Sequence, residues 1–174
     1  MSKFKISVAL VLLAAFLLPI LAACGAKPAT AAGVNAGQNL NTTVKQTTIK
    51  AVVSGDTVTI PLSEVEKYGN VNFRVNTAND YYMFMAYQYG GQTYVRADVC
   101  VPCGSESFTL KNGTLVCDSC GTVFDVKTGA GIKGVTACQR YTKQPVTYEV
   151  TNGNIVMKWA DMAAAYQKTT TPAK

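Results

Sequence analysis

Apolar and polar positions along this chain fall into three regimes. Residues 6–18 form a nearly unbroken apolar run, residues 25–41 carry Ala, Gly, Thr and Asn without any period, and residues from 44 onward alternate short β-branched or aromatic runs with turn residues. Short runs at that spacing predict strands, so the third regime reads as a mostly β, antiparallel domain over 44–168. Strands are predicted at 44–53, 57–62, 71–75, 81–87, 92–97, 145–150 and 155–159. Gly90-Gly91, Asn112-Gly113 and Asn152-Gly153 each suit a two-residue hairpin turn. Residues 63–67 fit one helical turn, residues 160–167 fit a short C-terminal helix, and 169–174 read as a tail.

The first regime has Lys3 and Lys5 before the apolar run and Leu21-Ala22-Ala23-Cys24 after it, the form of a secretory signal. Its end resembles a bacterial lipobox, in which the cysteine behind the small residues becomes the first mature residue and carries lipid. That resemblance implies a signal peptide at 1–23, a lipid anchor at Cys24 and a flexible linker over 24–43 that stands the domain off the membrane. The competing reading is an uncleaved membrane helix, for which the run is barely long enough and Pro19 is badly placed. Both readings tether the domain to the membrane on its extracytoplasmic side.

Charge narrows the partners. The formal charge of the 174 residues is +6, and removal of Lys3 and Lys5 with the signal takes it to +4. A balance that mild and scattered gives no footprint for nucleic acid. Histidine is absent from the sequence. That excludes Cys-His and Ser-His-Asp catalysis, a two-histidine Rieske centre and haem attachment through Cys-x-x-Cys-His. The Tyr81 to Tyr89 stretch is dense in Tyr, Met and Phe. Without histidine or cysteine nearby it reads as sheet core and not as a soft copper site.

Five of the six cysteines lie between Cys100 and Cys138. Two Cys-x-x-Cys-Gly knuckles, Cys100 with Cys103 and Cys117 with Cys120, are separated by thirteen residues centred on Asn112-Gly113. A hairpin there brings four thiolates to one point, the ligand set of zinc or of an iron–sulfur centre. Spacing does not choose between them, because tetrahedral sulfur suits both. Disulfides are the third reading, since an exported chain meets an oxidising compartment. The knuckle glycines, Gly104 and Gly121, suit positive φ, which turns backbone N–H groups toward sulfur. Cys138 is surplus by coordination count and is expected beside the site without being an obligatory ligand. Lys111, Lys127, Lys133, Arg140 and Lys143, against Glu106, Asp118 and Asp125, give this region a positive balance, each lysine being expected at the solvated surface.

The run from Cys117 to Gly129, with Gly134 and residues 146–157 after it, resembles the second half of a Rieske domain, with Cys103 and Cys120 where that family has ligand histidines and Val135 where it has a loop proline. The FtrD-like membrane iron-sulfur family resembles this chain more closely over roughly 71–168, in two Cys-x-x-Cys pairs, a later Gly-x-x-x-Cys at Gly134 to Cys138, and a terminal strand with a short helix. The resemblance implies an iron–sulfur protein of the cell envelope that transfers electrons to a redox partner protein, in some relatives beside ferrous-iron uptake. The fold expected is an antiparallel sheet domain with a Rieske-like or rubredoxin-like two-hairpin metal lobe at 100–138. A structural zinc ribbon and a thiol–disulfide oxidoreductase remain as alternatives; no thioredoxin-type context surrounds either cysteine pair.

Overall fold

The computed structural model describes residues 42–173. The signal peptide, the Cys24 lipid site and the linker up to residue 41 lie outside the described residues. In chain order come β1 (Thr43–Val44), β2 (Thr47–Ile49), β3 (Val52–Ser54), β4 (Thr57–Pro61), α1 (Leu62–Tyr68), β5 (Asn70–Asn76), β6 (Tyr81–Tyr89) and β7 (Gln92–Ala97). A 3-10 turn (Val101–Cys103) follows, then β8 (Phe108–Lys111), β9 (Thr114–Cys117), β10 (Val123–Asp125), β11 (Gly131–Lys133), α2 (Thr136–Gln139), β12 (Tyr148–Thr151), β13 (Asn154–Lys158) and α3 (Trp159–Thr169).

All three expected hairpins are present. Asn112 and Gly113 have φ of 50° and 69°, Asn152 and Gly153 of 50° and 75°, and Gly90 and Gly91 of 58° and 75°. Two successive positive angles match the twist of the strands they join, which fixes the registers of β8 with β9, β12 with β13 and β6 with β7. The strands assemble into three sheets, ordered β1-β8-β9-β10-β11, β2-β5-β6-β7 and β12-β13-β4-β3.

The middle sheet separates two cores. Val71, Phe73, Val75, Phe84 and Ala86 join Val58, Ile60, Ile155, Met157 and Met162 in one, with α1 and α3 closing it. Met85 and Tyr87 join Phe108, Leu110, Leu115, Phe124, Val126 and Cys138 in the other. Successive β6 side chains point to opposite faces, so Phe84 and Ala86 serve the first core while Met85 and Tyr87 serve the second. This explains the aromatic and methionine density of the strand: it is buried on both sides, as a sheet-core reading requires.

Three details depart from the sequence pattern. The run expected as one strand over 44–53 is cut into β1, β2 and β3, each in a different sheet. The cut at Gln46 has a polar cause: its side chain donates to Asp98 Oδ2 (3.0 Å) and accepts from Asn72 Nδ2 (3.3 Å) and from the Phe108 N–H (3.0 Å). β2 also pairs parallel with β5, where antiparallel pairing was expected throughout. Finally, the end expected as a tail is held down. Thr169 closes α3 and accepts from the Gln144 N–H, and the Ala173 N–H donates to the Arg140 carbonyl at 2.7 Å.

Candidate metal centre

β7 runs directly into the first knuckle. The Cys100 N–H donates to Ser105 O (2.7 Å) and the Cys103 N–H to Cys100 O (3.2 Å), while Gly104 ends the 3-10 turn at φ 67°. β9 ends on Cys117 and starts the second, in which the Cys117 N–H donates to Thr122 O and the Gly121 N–H to Cys117 O, both at 2.9 Å, with Gly121 at φ 68°. A side chain with a Cβ is strained at these angles, and the positive φ expected of both glycines is present. The β8–β9 hairpin sets Phe108 opposite Cys117 and so folds the second knuckle back beside the first.

The result is a group of four sulfurs, from Cys100, Cys103, Cys117 and Cys120, all within 4.8 Å of one another. Cys103 and Cys117 are 3.6 Å apart. Cys100 and Cys117 are buried, whereas Cys103 and Cys120 are half-buried. Thiols this close share protons. The Cys117 thiolate is held down to about 4, first because the Cys100 thiol donates to it and further because the Ser105 side chain and the Cys120 and Ser119 N–H groups point at it. Cys100 is raised by the same bond and by burial. Burial lifts Cys103 to about 11. Burial also opposes the Cys120 thiolate, but the Thr122 hydroxyl and N–H outweigh it and lower the pKa.

Thr122 is fully buried and links the site to the loop at 134–138. The Val135 N–H donates to its hydroxyl (3.2 Å), which lies 3.1 Å from Cys120 Sγ. A Cβ on Gly134 would sit 2.8 Å from Thr122 Cα, so only glycine lets the loop approach this closely. The loop then delivers Cys138 on α2, buried, with its sulfur 3.7 Å from Cys120 Sγ and outside the four-sulfur group.

Two cations were not foreseen. Lys143, expected at the surface with the other lysines, is fully buried, while Lys111, Lys127 and Lys133 are exposed. Its Nζ donates to Val99 O (2.7 Å) and Tyr141 O (3.0 Å) and lies over the Phe124 ring at 4.4 Å. Burial lowers its pKa, against the pull of Cys100, Cys117 and Cys138. Arg96 is also buried. Its guanidinium donates to Tyr87 Oη (2.8 Å), Lys143 O (2.6 Å), Thr128 O (3.4 Å) and Lys127 O, tying the loop after β10 to the middle sheet. Its only signal in the sequence is a charge inside the otherwise apolar stretch Val95-Arg96-Ala97.

Among solved structures, the chain is similar to a complex of reduced oxygenase and oxidized ferredoxin in carbazole 1,9a-dioxygenase, at 20% identity and TM-score 0.48, covering 61% of this chain and 95% of that one. It is also similar to Sphingomonas yanoikuyae B1 ferredoxin, at 17% identity and TM-score 0.40, covering 50% of this chain and 83% of that one. No curated protein matches. The sequence model for membrane iron-sulfur containing proteins of the FtrD-like type matches residues 65–168, a stretch that holds both knuckles, the loop at 134–138 and all but the last residue of α3, and the chain belongs to that family.

Proposed function

We propose that Cys100, Cys103, Cys117 and Cys120 hold an iron–sulfur centre and that the protein carries single electrons outside the cytoplasm, tethered to the membrane by lipid on Cys24. The observation that carries this reading is the convergence of four sulfurs within 4.8 Å in a chain of an iron–sulfur family. The donor set fits: four sulfurs match the ligation such a centre needs, and backbone N–H groups with the Thr122 hydroxyl stabilise the thiolates of Cys117 and Cys120. One-electron exchange is the chemistry the centre supplies when bound. The chain's own residues shield Cys100 and Cys117 and leave Cys103 and Cys120 as the edge open to a redox partner protein. Four thiolates put more negative charge on the site than a two-histidine set, so the potential belongs toward the roughly −400 mV of plant-type ferredoxins. A connection with ferrous-iron uptake rests on the family resemblance alone.

The second reading is a single structural zinc ion. A Zn–S bond of about 2.3 Å gives a tetrahedral sulfur edge of about 3.8 Å, close to the 3.6 Å between Cys103 and Cys117. Anaerobic purification with iron, zinc and acid-labile sulfide analysis decides between them. Iron with labile sulfide and a visible spectrum that bleaches on reduction supports the electron carrier; one zinc per chain without sulfide overturns it. The anchor is tested separately by Cys24→Ser, which is expected to move the protein from the membrane fraction to the soluble or unprocessed one with its metal retained. Metal loss in that variant would make Cys24 part of the site.

A further inference from the structure

We propose that Lys143 is the built-in counter-cation of the four-cysteine site: a fixed positive charge behind the thiolates that tightens metal binding and raises the reduction potential. The inference rests on reading the four cysteines as metal ligands. It follows from where the ammonium group sits and from what it does not touch.

The side chain has no exposure to water. An ammonium group has three donors, and here two go to the Val99 and Tyr141 carbonyls while the Phe124 ring face lies 4.4 Å from Nζ and the Phe108 ring 5.3 Å. All of these partners are neutral. They orient the charge and leave it uncancelled. A buried cation without a counter-ion is costly, so the charges that offset it must come from neighbours: the carbonyl it holds belongs to Val99, next to Cys100, and the two rings beneath it share one core with Cys100, Cys117 and Cys138. The backbone is fixed as well. The Lys143 N–H donates to Gly129 O (2.8 Å) and its carbonyl accepts from Arg96 Nη1 (2.6 Å), so the side chain leaves a clamped position and reaches the residue before Cys100.

The electrostatic consequence does not depend on which metal is bound. Four thiolates around one divalent ion leave a net charge of about minus two. A cation held in a low-dielectric wall stabilises that charge more than a solvated one does. Reduction adds one electron and no proton, which makes the site more negative by one, so the same cation favours the reduced state over the oxidised one.

Three variants of the full metal-loaded protein test this. Lys143→Gln keeps an amide donor for the two carbonyls without charge, Lys143→Met keeps the shape against Phe108 and Phe124, and Lys143→Arg keeps the charge. Zinc or cobalt affinity by chelator competition is read first, then the reduction potential of whatever redox centre the wild type holds. Both neutral variants are expected to bind metal about 10–100-fold more weakly and, where a redox centre is present, to titrate at a more negative potential. Lys143→Arg is expected to stay near the wild type in both. If the neutral variants take up no metal at all while Lys143→Arg does, the proposal stands. If the arginine variant fails alongside them, or if Gln and Met match the wild type, Lys143 is a packing brace and the proposal is overturned. A wild type that binds neither zinc nor cobalt at the four cysteines refutes the metal-site reading itself, a separate outcome.

Discussion

A thiol can sit against a metal site without being required by it, and that is expected of Cys138: its sulfur is 3.7 Å from Cys120 Sγ, outside the group that four others form. Cys120→Ser is therefore expected to lose most of its bound metal, whereas Cys138→Ser keeps it and shows at most an altered spectrum. Metal-to-protein ratio after gel filtration checks both, and complete loss in each would mean five required thiols. Arg96 carries a different load at the same scale. Its hydrogen bonds reach three carbonyls and one hydroxyl. Bonds from a charged donor contribute about 1.5–3 kcal/mol each and are not additive, so Arg96→Met should lower stability by at least about 3 kcal/mol. Chemical denaturation of the metal-loaded protein measures it, and a loss under about 1 kcal/mol would show that water replaces those bonds.

Between residue and fold, the turn after β10 is held by a carboxylate and so responds to acid. The Asp125 carboxylate accepts from the Thr128 N–H (2.6 Å) and hydroxyl (2.9 Å) and from the Lys127 N–H (3.0 Å). The Thr128 bonds first, then that of Lys127, hold its pKa below the usual carboxylate value. A pKa lowered by folding contributes stability that is complete above the unfolded value of about 4 and is lost as pH falls through the lower folded value. Amide exchange at Lys127 and Thr128 is thus expected to quicken below about pH 4, ahead of global unfolding, and Asp125→Asn should flatten that dependence. Elements of this local kind were legible in the sequence. The dipeptides at 90–91, 112–113 and 152–153 state their own φ angles, and two Cys-x-x-Cys-Gly knuckles across a hairpin state their own convergence. What could not be read was long-range and polar. Gln46, Arg96 and Lys143 bond partners tens of residues away. No periodicity records such a contact, and composition alone places a lysine in water. The division of 43–54 among three sheets was hidden for the same reason.

At the scale of the whole molecule, the metal lobe does not stand on its own hairpins. Phe108 and Phe124 meet edge to face at 5.8 Å, and Met85 and Tyr87 from the middle sheet complete their core. Chelating the metal is therefore expected to speed amide exchange most at residues 100–104, 117–121 and 134–141, less in β8 to β10, and least in β5 and β6. Uniform exchange across all three regions would show that the metal holds the entire domain together. β6 carries a further consequence. Its odd and even positions are written for different readers, Met85 and Tyr87 for the sulfur-bearing core and Phe84 and Ala86 for the helix-covered one. Two messages interleaved on one strand share a single reading frame. A substitution garbles one letter of one message, but deleting a single residue before Tyr87 exchanges the two texts from that point on, setting Gln88 where the Tyr87 hydroxyl meets Arg96 and Tyr87 into the apolar side. The strand is thus free to vary in its letters far more than in its length.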